Sequence, residues 1–532
     1  MGSELSKGFL AGLGYLDTIS ERTADHGVEI DGLTIKDAGF ELGSDADGDM
    51  YARISGALTR IPKGVDGQIL TSHVGLIPTW ETHTLTNLLS NSGFGVWSNS
   101  TLENVGSDLV TNGSAWTGAS GTTPPTGWTR RAYSGSGGTD SFSNAGGYLT
   151  MGNDNCAPVI EQAITTVIGK LYRISVYHIN GTGSCRVMAS SGAGVTGTVL
   201  LGNDYYSDVS WTTRTFVFEA VSTTTYIYLG NESTYNTCFD NVTLYEVTPA
   251  CIAADTNACD GWIKGVDTLI YRQHKDATYT KPGSFYALKI SGSSDTEGIV
   301  WPKNYTDPAH LENFAGKTVA LGCWVYTTIA SNSRFLIFDG ITSTYSSYHT
   351  GVAGWQWLET HATLSSDPTN VTITLRNDIS GEISYFSQPM LIFGSYIGEG
   401  NYQPILNETI TLETDIHITT LEKTGYSDTG STVINIEAAT LGKLPKGAKL
   451  IKAGYINVND SGSATVATDC YLGLGYGANV LYISPSGRVN DGPERQSGWF
   501  GCDSNGDSAY LIEATGSATF DLATLSLGSV QL

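Results

Sequence analysis

Three indoles lie in polar, loop-rich sequence where they could act as stacking platforms: Trp97, Trp116 and Trp128. Sugars present flat C–H faces that pack on exposed aromatic rings, while their hydroxyls hydrogen-bond to amides and carboxylates. Asn112, Asn153 and Asp154 stand near these loops and supply such groups. The expected chemistry is noncovalent recognition of a saccharide. Trp211 and Trp357 instead sit among alternating apolar neighbours, Phe216 and Phe218 in one case and Leu358 and Leu364 in the other. That setting predicts core positions in preference to ligand contacts.

Bond-making chemistry finds little support. The nine His include no HExxH pattern, which argues against a metalloprotease. There is no GxSxG, no phosphate loop and no GxGxxG, so neither a nucleophile elbow nor a nucleotide site is indicated. The 52 acidic residues make chance carboxylate pairs inevitable, so a glycosidase pair cannot be read from them. Asp45, Asp47 and Asp49 resemble the start of a calcium loop, but Met50 and Gly56 occupy the positions that need Gly and Glu. Asp503, Asn505 and Asp507 likewise have Ala514 where the closing Glu belongs. A structural calcium ion there stays open, and no other cofactor is expected. The eight Cys form no CxxC pair, and buried free thiols are the expectation.

The elements that carry these residues are strands. Gly makes up 64 of 532 residues and only 15% are charged, with 28 Tyr and 11 Trp. This is the composition of an all-β chain rich in turns. A net charge of −24 argues against nucleic-acid and anionic-membrane partners. No run of 18 apolar residues exists, so no membrane-inserted span is expected.

The chain reads as five segments. Residues 1–25 carry Phe9, Leu10, Leu13, Leu16 and Ile19, interrupted by Gly8, Gly12 and Gly14, a pattern expected of a peptide that orders on a partner. Residues 26–80 contain short alternating strands separated by Gly and Asp turns, too few in apolar residues to close a core. A polar hinge opens the third segment, 81–248. The fourth is 249–404, and the two repeat each other. Gly169–Lys170 begins a strand ending at Tyr177, and Gly316–Lys317 begins one ending at Tyr326. The separations from Gly169 to Trp211 and from Gly316 to Trp357 are 42 and 41 residues. The fifth, 405–532, alternates through Ile410, Leu412, Ile416 and Ile418. The predicted fold is all-β: a short intertwined shaft, two tandem jelly-roll β-sandwiches and a C-terminal sandwich that trimerises.

Two resemblances extend this reading. GVEIDGLTIKDAGF and GDMYARISGALTRIPKGVDGQIL, within residues 26–80, resemble the attachment and shaft segments of tailed-bacteriophage fibre proteins. The resemblance implies a homotrimeric virion fibre whose N-terminus docks on a tail, collar or capsid protein. Asn91, Gly93 and Phe94, the Gly-Lys strands, the Trp strands and FDNVTLYE at 239–246 resemble the jelly-roll carbohydrate-binding modules of glycoside hydrolases and phage fibres. The second copy departs from this pattern, with DGWIKGVD at its opening and SQPMLIFG at its close. Leu444–Leu450 resembles a turn of phage C-terminal jelly rolls. Together these imply a non-enzymatic, receptor-binding fibre subunit on the virion that adheres to host surface polysaccharide. A purely structural collar, neck or capsid fibre and a depolymerase tailspike are the rival readings.

Overall fold

The computed structural model describes residues 28–30, 33–36, 39–41, 49–54, 57–64, 68–71, 79–82, 85–132, 140–152, 158–180, 184–201, 205–231, 236–292, 297–418, 431–461, 470–475, 494–514 and 519–532. The expected docking segment 1–25, together with Asp45, Asp47, Asn153 and Asp154, lies outside them. The fold is all-β, and it divides into two compact units, Met1–Leu85 and Thr86–Leu532.

The described residues of the first unit form small antiparallel pairings. Val28–Ile30, Leu33–Lys36 and Gly39–Glu41 form a meander in which Ile30 pairs with Leu33, leaving a two-residue turn. Met50–Ile54 pairs with Ala57–Ile61, and Gln68–Thr71 with Thr79–Thr82.

Among its described residues the second unit holds three large hydrophobic cores and a small satellite cluster of Val159, Met188 and Tyr228. The first sandwich encloses Trp116, Trp128, Ile174, Val176, Phe218, Leu229 and Leu244. The second encloses Trp262, Leu288, Val319, Leu321, Cys323, Val325, Phe335 and Leu375. The third encloses Ile410, Leu412, Ile416, Ile418, Ile451 and Leu527. In strands such as Thr318–Tyr326 every second residue points inward, and bulges interrupt the alternation in others, including Thr409–Ile418.

The first two sandwiches share a sheet. The 15-residue strand Thr237–Cys251 pairs through its first part with Leu149–Gly152 and Leu171–Asn180. Its last two residues pair with Ile270 and Tyr271 of the second sandwich. Hydrogen bonding therefore runs without a break from one sandwich to the next.

The expected start of the first sandwich requires correction. Within residues 87–100, Leu89, Phe94 and Trp97 pack in the core of the second with Trp262, Val319 and Leu391, and Val96 packs in that of the third. Asn91 organises this turn with φ at +51°. Its Oδ1 accepts from the amides of Gly95 and Val96 at 3.0 and 3.1 Å, and its Nδ2 donates to the carbonyls of Val96 and Asp260. The first sandwich is thus inserted between the opening turn of the second and the rest of it. The opening that the second repeat lacks at 260–267 stands instead at 91–94. A parallel turn opens the first sandwich, where Asn112 has φ +58° and Trp116 φ +51°.

The third sandwich is fastened by buried polar groups. Arg272 meets Glu437 at 2.6 Å, and Tyr286 Oη donates to the same carboxylate at 3.0 Å. Asn435 and Lys446 both reach Glu219 of the first sandwich. Burial pushes the Glu437 carboxyl up, against the opposing pull of Arg272.

Candidate functional site

The sequence-predicted sugar platform is not a platform. Trp97 and Trp116 are fully buried, and Trp128 is 5% exposed. Trp116 and Trp128 pack against each other at 5.8 Å inside the first core, and Trp97 lies in the second. Asn112 spends its side chain on its own loop, accepting from Thr117 N and donating to the carbonyls of Thr117 and Thr126. Polar sequence around these indoles reflects the turns that wrap them.

The aromatic residues that face outward lie elsewhere. In the strand Thr318–Tyr326, Val319, Leu321, Cys323 and Val325 fill the core. Ala320, Gly322, Trp324 and Tyr326 therefore face the other way. Tyr326 pairs across the sheet with Trp355 on one side and Tyr385 on the other. Tyr385 pairs with Lys289, and Lys289 with Tyr271. The result is a row across five adjacent strands: Trp355, Tyr326, Tyr385, Lys289, Tyr271. Beside it runs Trp357 opposite Trp324.

A loop completes the row. Tyr279 stacks on Tyr385 with ring centroids 4.5 Å apart and planes at 16°, and it meets Tyr326 edge-on at 5.4 Å. Asp276 fixes this loop by accepting from the amides of Thr278 and Tyr279. Trp355 Nε1 donates to Thr278 O at 3.1 Å. Lys281 Nζ stands 3.1 Å from the Trp324 ring centroid, and Lys289 Nζ 4.9 Å from that of Tyr271. Burial lowers both lysines and raises Tyr385 and Tyr271. Tyr279 remains 37% exposed, and Trp355 and Trp357 are half-buried. The row ends in a cavity of about 280 Å³ between the first two sandwiches, lined by Tyr279, Tyr385, Lys289, Gln273, Glu246 and Lys170 among others.

Gly322 is required by this arrangement. A Cβ there would come within 2.2 Å of the Trp357 indole, which lies over it. Trp357 Nε1 donates to Glu359 at 2.9 Å, and that carboxylate also holds the amides of Ile397 and Gly398.

The first sandwich carries a smaller counterpart. Tyr177 stacks on Trp211 at 4.7 Å and 25°, and Tyr148 meets Trp211 edge-on at 5.2 Å. All three are half-buried. The expectation that Trp211 and Trp357 are core residues is therefore corrected: both lie outside the apolar layers. Tyr279 was missed because its loop is polar and its ring partner is 106 positions away, from 279 to 385. Tyr326 and Tyr385 were legible as the outward members of alternating strands.

The acidic turns serve the backbone. Asp503 Oδ1 accepts from Asn505 N at 2.8 Å and Asp507 N at 2.9 Å. Asp507 is pushed up to about 6, first by burial and then by Asp503. Asp49 pairs with Arg60 at 2.6 Å and accepts from Lys63 N. Among the described residues no three His, Cys, Asp or Glu side chains converge as a metal site. Cys185, Cys251, Cys259 and Cys323 are buried free thiols, each pushed up by burial.

Neither protein-family models nor curated protein sequences gave a match to this chain. Among solved structures, the N-terminal CBM22-1–CBM22-2 tandem domain of Paenibacillus barcinonensis Xyn10C matches at 13% identity and TM-score 0.23, covering 55% of this chain and 99% of that one. The enzymatically active domain of bacteriophage CBA120 tailspike protein 4 matches at 12% identity and TM-score 0.21, covering 26% of this chain and 21% of that one. TmCBM61 in complex with β-1,4-galactotriose matches at 12% identity and TM-score 0.16, covering 30% of this chain and 98% of that one.

Proposed function

We propose that this chain is a non-enzymatic glycan-binding subunit of a bacteriophage fibre, acting in host adsorption. The observation that carries the binding reading is the aromatic row from Trp355 to Tyr271, capped by Tyr279 and flanked by Lys281 and Lys289. Tyr326 and Tyr385 are themselves buried, so the stacking surface is that of Tyr279, Trp355 and Tyr271, held by register and by a pinned loop with little conformational freedom left to lose. The ammonium groups and the amide of Gln273 supply donors for sugar hydroxyls. In this reading the virion fibre is a homotrimer. Residues 1–25 dock on another virion protein, residues 26–80 form the shaft, and residues 405–532 set the trimer. The net charge of −24 supports a particle appendage whose copies repel one another. Three copies would raise weak single-site affinity through effective concentration.

The test is tryptophan fluorescence of the full chain titrated with host surface polysaccharide, against Trp355→Ala. The reading expects a saturable change that weakens about tenfold or more in the variant, in line with one lost stacking contact. Equal binding by both proteins would place the ligand elsewhere, shortening of the polysaccharide would reveal a depolymerase, and no binding by either would favour a purely structural fibre.

A further inference from the structure

A second, chemically different surface lies on the opposite sheet of the second sandwich. The strands Ser333–Phe338 and Thr372–Asn377 pair so that Arg334 stands opposite Arg376. Their neighbours Phe335, Ile337, Ile373 and Leu375 fill the core, so both arginines project away from it. They share one carboxylate: Arg334 Nε lies 2.8 Å from Asp378 Oδ2, and Arg376 Nε donates to Oδ1. Tyr348 Oη donates to Oδ2 at 2.6 Å. Both oxygens of Asp378 are thus engaged.

Among the described residues, two guanidinium groups face the one carboxylate of Asp378, an excess of one positive charge. The side chains are 21% and 14% exposed for Arg334 and Arg376, and 9% for Asp378. Among the described residues, no hydrogen bond engages the terminal Nη atoms of either arginine. A half-withdrawn cation without a full counter-charge is costly, and more so where solvent is partly excluded. The groups are also held in place. The Arg334 guanidinium lies 4.1 Å from the Tyr345 ring centroid and 4.3 Å from that of Tyr348, and Arg376 lies 5.8 Å from Tyr345. Gly298, opposite Arg376, leaves room for it: a Cβ there would approach Arg376 Cβ to 2.8 Å. Tyr345 is 41% exposed beside the pair.

We infer that Arg334 and Arg376 form an oxyanion site, and that its ligand is the carboxylate of an acidic saccharide unit whose ring packs on Tyr345. Guanidinium forks match carboxylate geometry, and the exposed phenol ring supplies the flat face that a sugar needs and a bare inorganic anion does not. The site is separate from the aromatic row, which lies on the other sheet.

Calorimetric titration of the full chain with oligogalacturonate, with the neutral galactose oligomer of equal length, and with inorganic phosphate tests this. Oligogalacturonate is expected to bind best and to lose affinity with added salt. Arg376→Gln should weaken it about tenfold or more. Asp378→Asn removes the competing carboxylate and is expected to tighten binding, an effect that a purely structural ion pair would not produce. Should R376Q fail to fold, R376K keeps the charge without the fork and should still lose affinity. Equal binding of the acidic and neutral oligomers, unchanged affinity in R376Q or R376K, or a folded D378N that binds more weakly would overturn the assignment. Binding of phosphate in preference to the uronate would overturn the saccharide part of it.

Discussion

Arg272 of the second sandwich and Glu437 of the third lie 2.6 Å apart with side chains only 1% and 2% exposed. The pair is separated by 165 positions in sequence. Arg272 also lies 4.2 Å from the Tyr286 ring centroid, and Tyr286 accepts from Lys446 N at 2.9 Å. A buried ion pair is an expensive way to join two domains, because both charges lose their water. It is also intolerant of half-removal. Arg272→Met or Glu437→Leu alone should each destabilise the chain by about 3–5 kcal/mol. The double variant should recover much of that loss, because no orphaned charge remains. Urea unfolding of the four proteins measures it, and additive losses would show that the pair is not coupled.

His274 sits in the same junction, 5.4 Å from the Tyr286 ring. Burial, and then Arg272, Lys170 and Lys446, hold its imidazole down to about 3 from the usual 6.5. Unfolding restores the ordinary value. The unfolded chain therefore binds the proton first as pH falls, so this group's contribution is fully present above about pH 6.5 and is lost progressively toward pH 3. His274→Phe should flatten the decline in melting temperature across that window. An unchanged acid limb would assign the decline to other groups.

Burial separates two kinds of aromatic ring. Trp116→Ala should cost about 3–5 kcal/mol, because a fully buried ring leaves a cavity. Tyr279→Ala should cost far less and weaken glycan binding, because its ring packs on Tyr385 at the surface. Thermal melts and polysaccharide titration on the same samples distinguish them. The opposite pattern would return the platform to the loops of the first sandwich.

Gly322→Val should displace the Trp357 indole, whose Cζ2 atom would stand 2.2 Å from the new Cβ. A loss of about 1–3 kcal/mol is expected from overpacking, with a change in near-ultraviolet circular dichroism. A spectrum and stability identical to the parent would show that the indole has room to move.

The proposed assembly makes its own demand. Light scattering of the full chain should give three times the chain mass, and deletion of residues 1–25 should leave that mass trimeric while abolishing incorporation into particles. Tyr471 and Leu474 lie on the strand Cys470–Gly475 and are candidates for the axis. A full-length monomer at micromolar concentration would remove the trimer from the model of function.

Much of the fold was written in local pattern. Period-two alternation in 318–326 and 409–418 determined which residues face a core, because successive side chains must point to opposite sides of a strand. The repeated Gly-Lys strands foretold two related sandwiches, and polar turns between apolar runs foretold hairpins such as Met50–Ile61. The insertion of the first sandwich into the second was invisible, since Phe94 and Trp262, whose ring centroids lie 5.7 Å apart, are separated in sequence by the whole intervening domain. The fate of the tryptophans was hidden for a related reason. Local sequence tells that Trp97, Trp116 and Trp128 sit in loops, but only packing decides whether a loop folds over its own ring. Conversely, Trp355, Tyr326 and Tyr385 became one row through strand register, and Tyr279 joined it through a loop. Alternation determines the side on which a residue lies, whereas register and loop closure decide its company, because they depend on contacts between distant segments that no local pattern encodes.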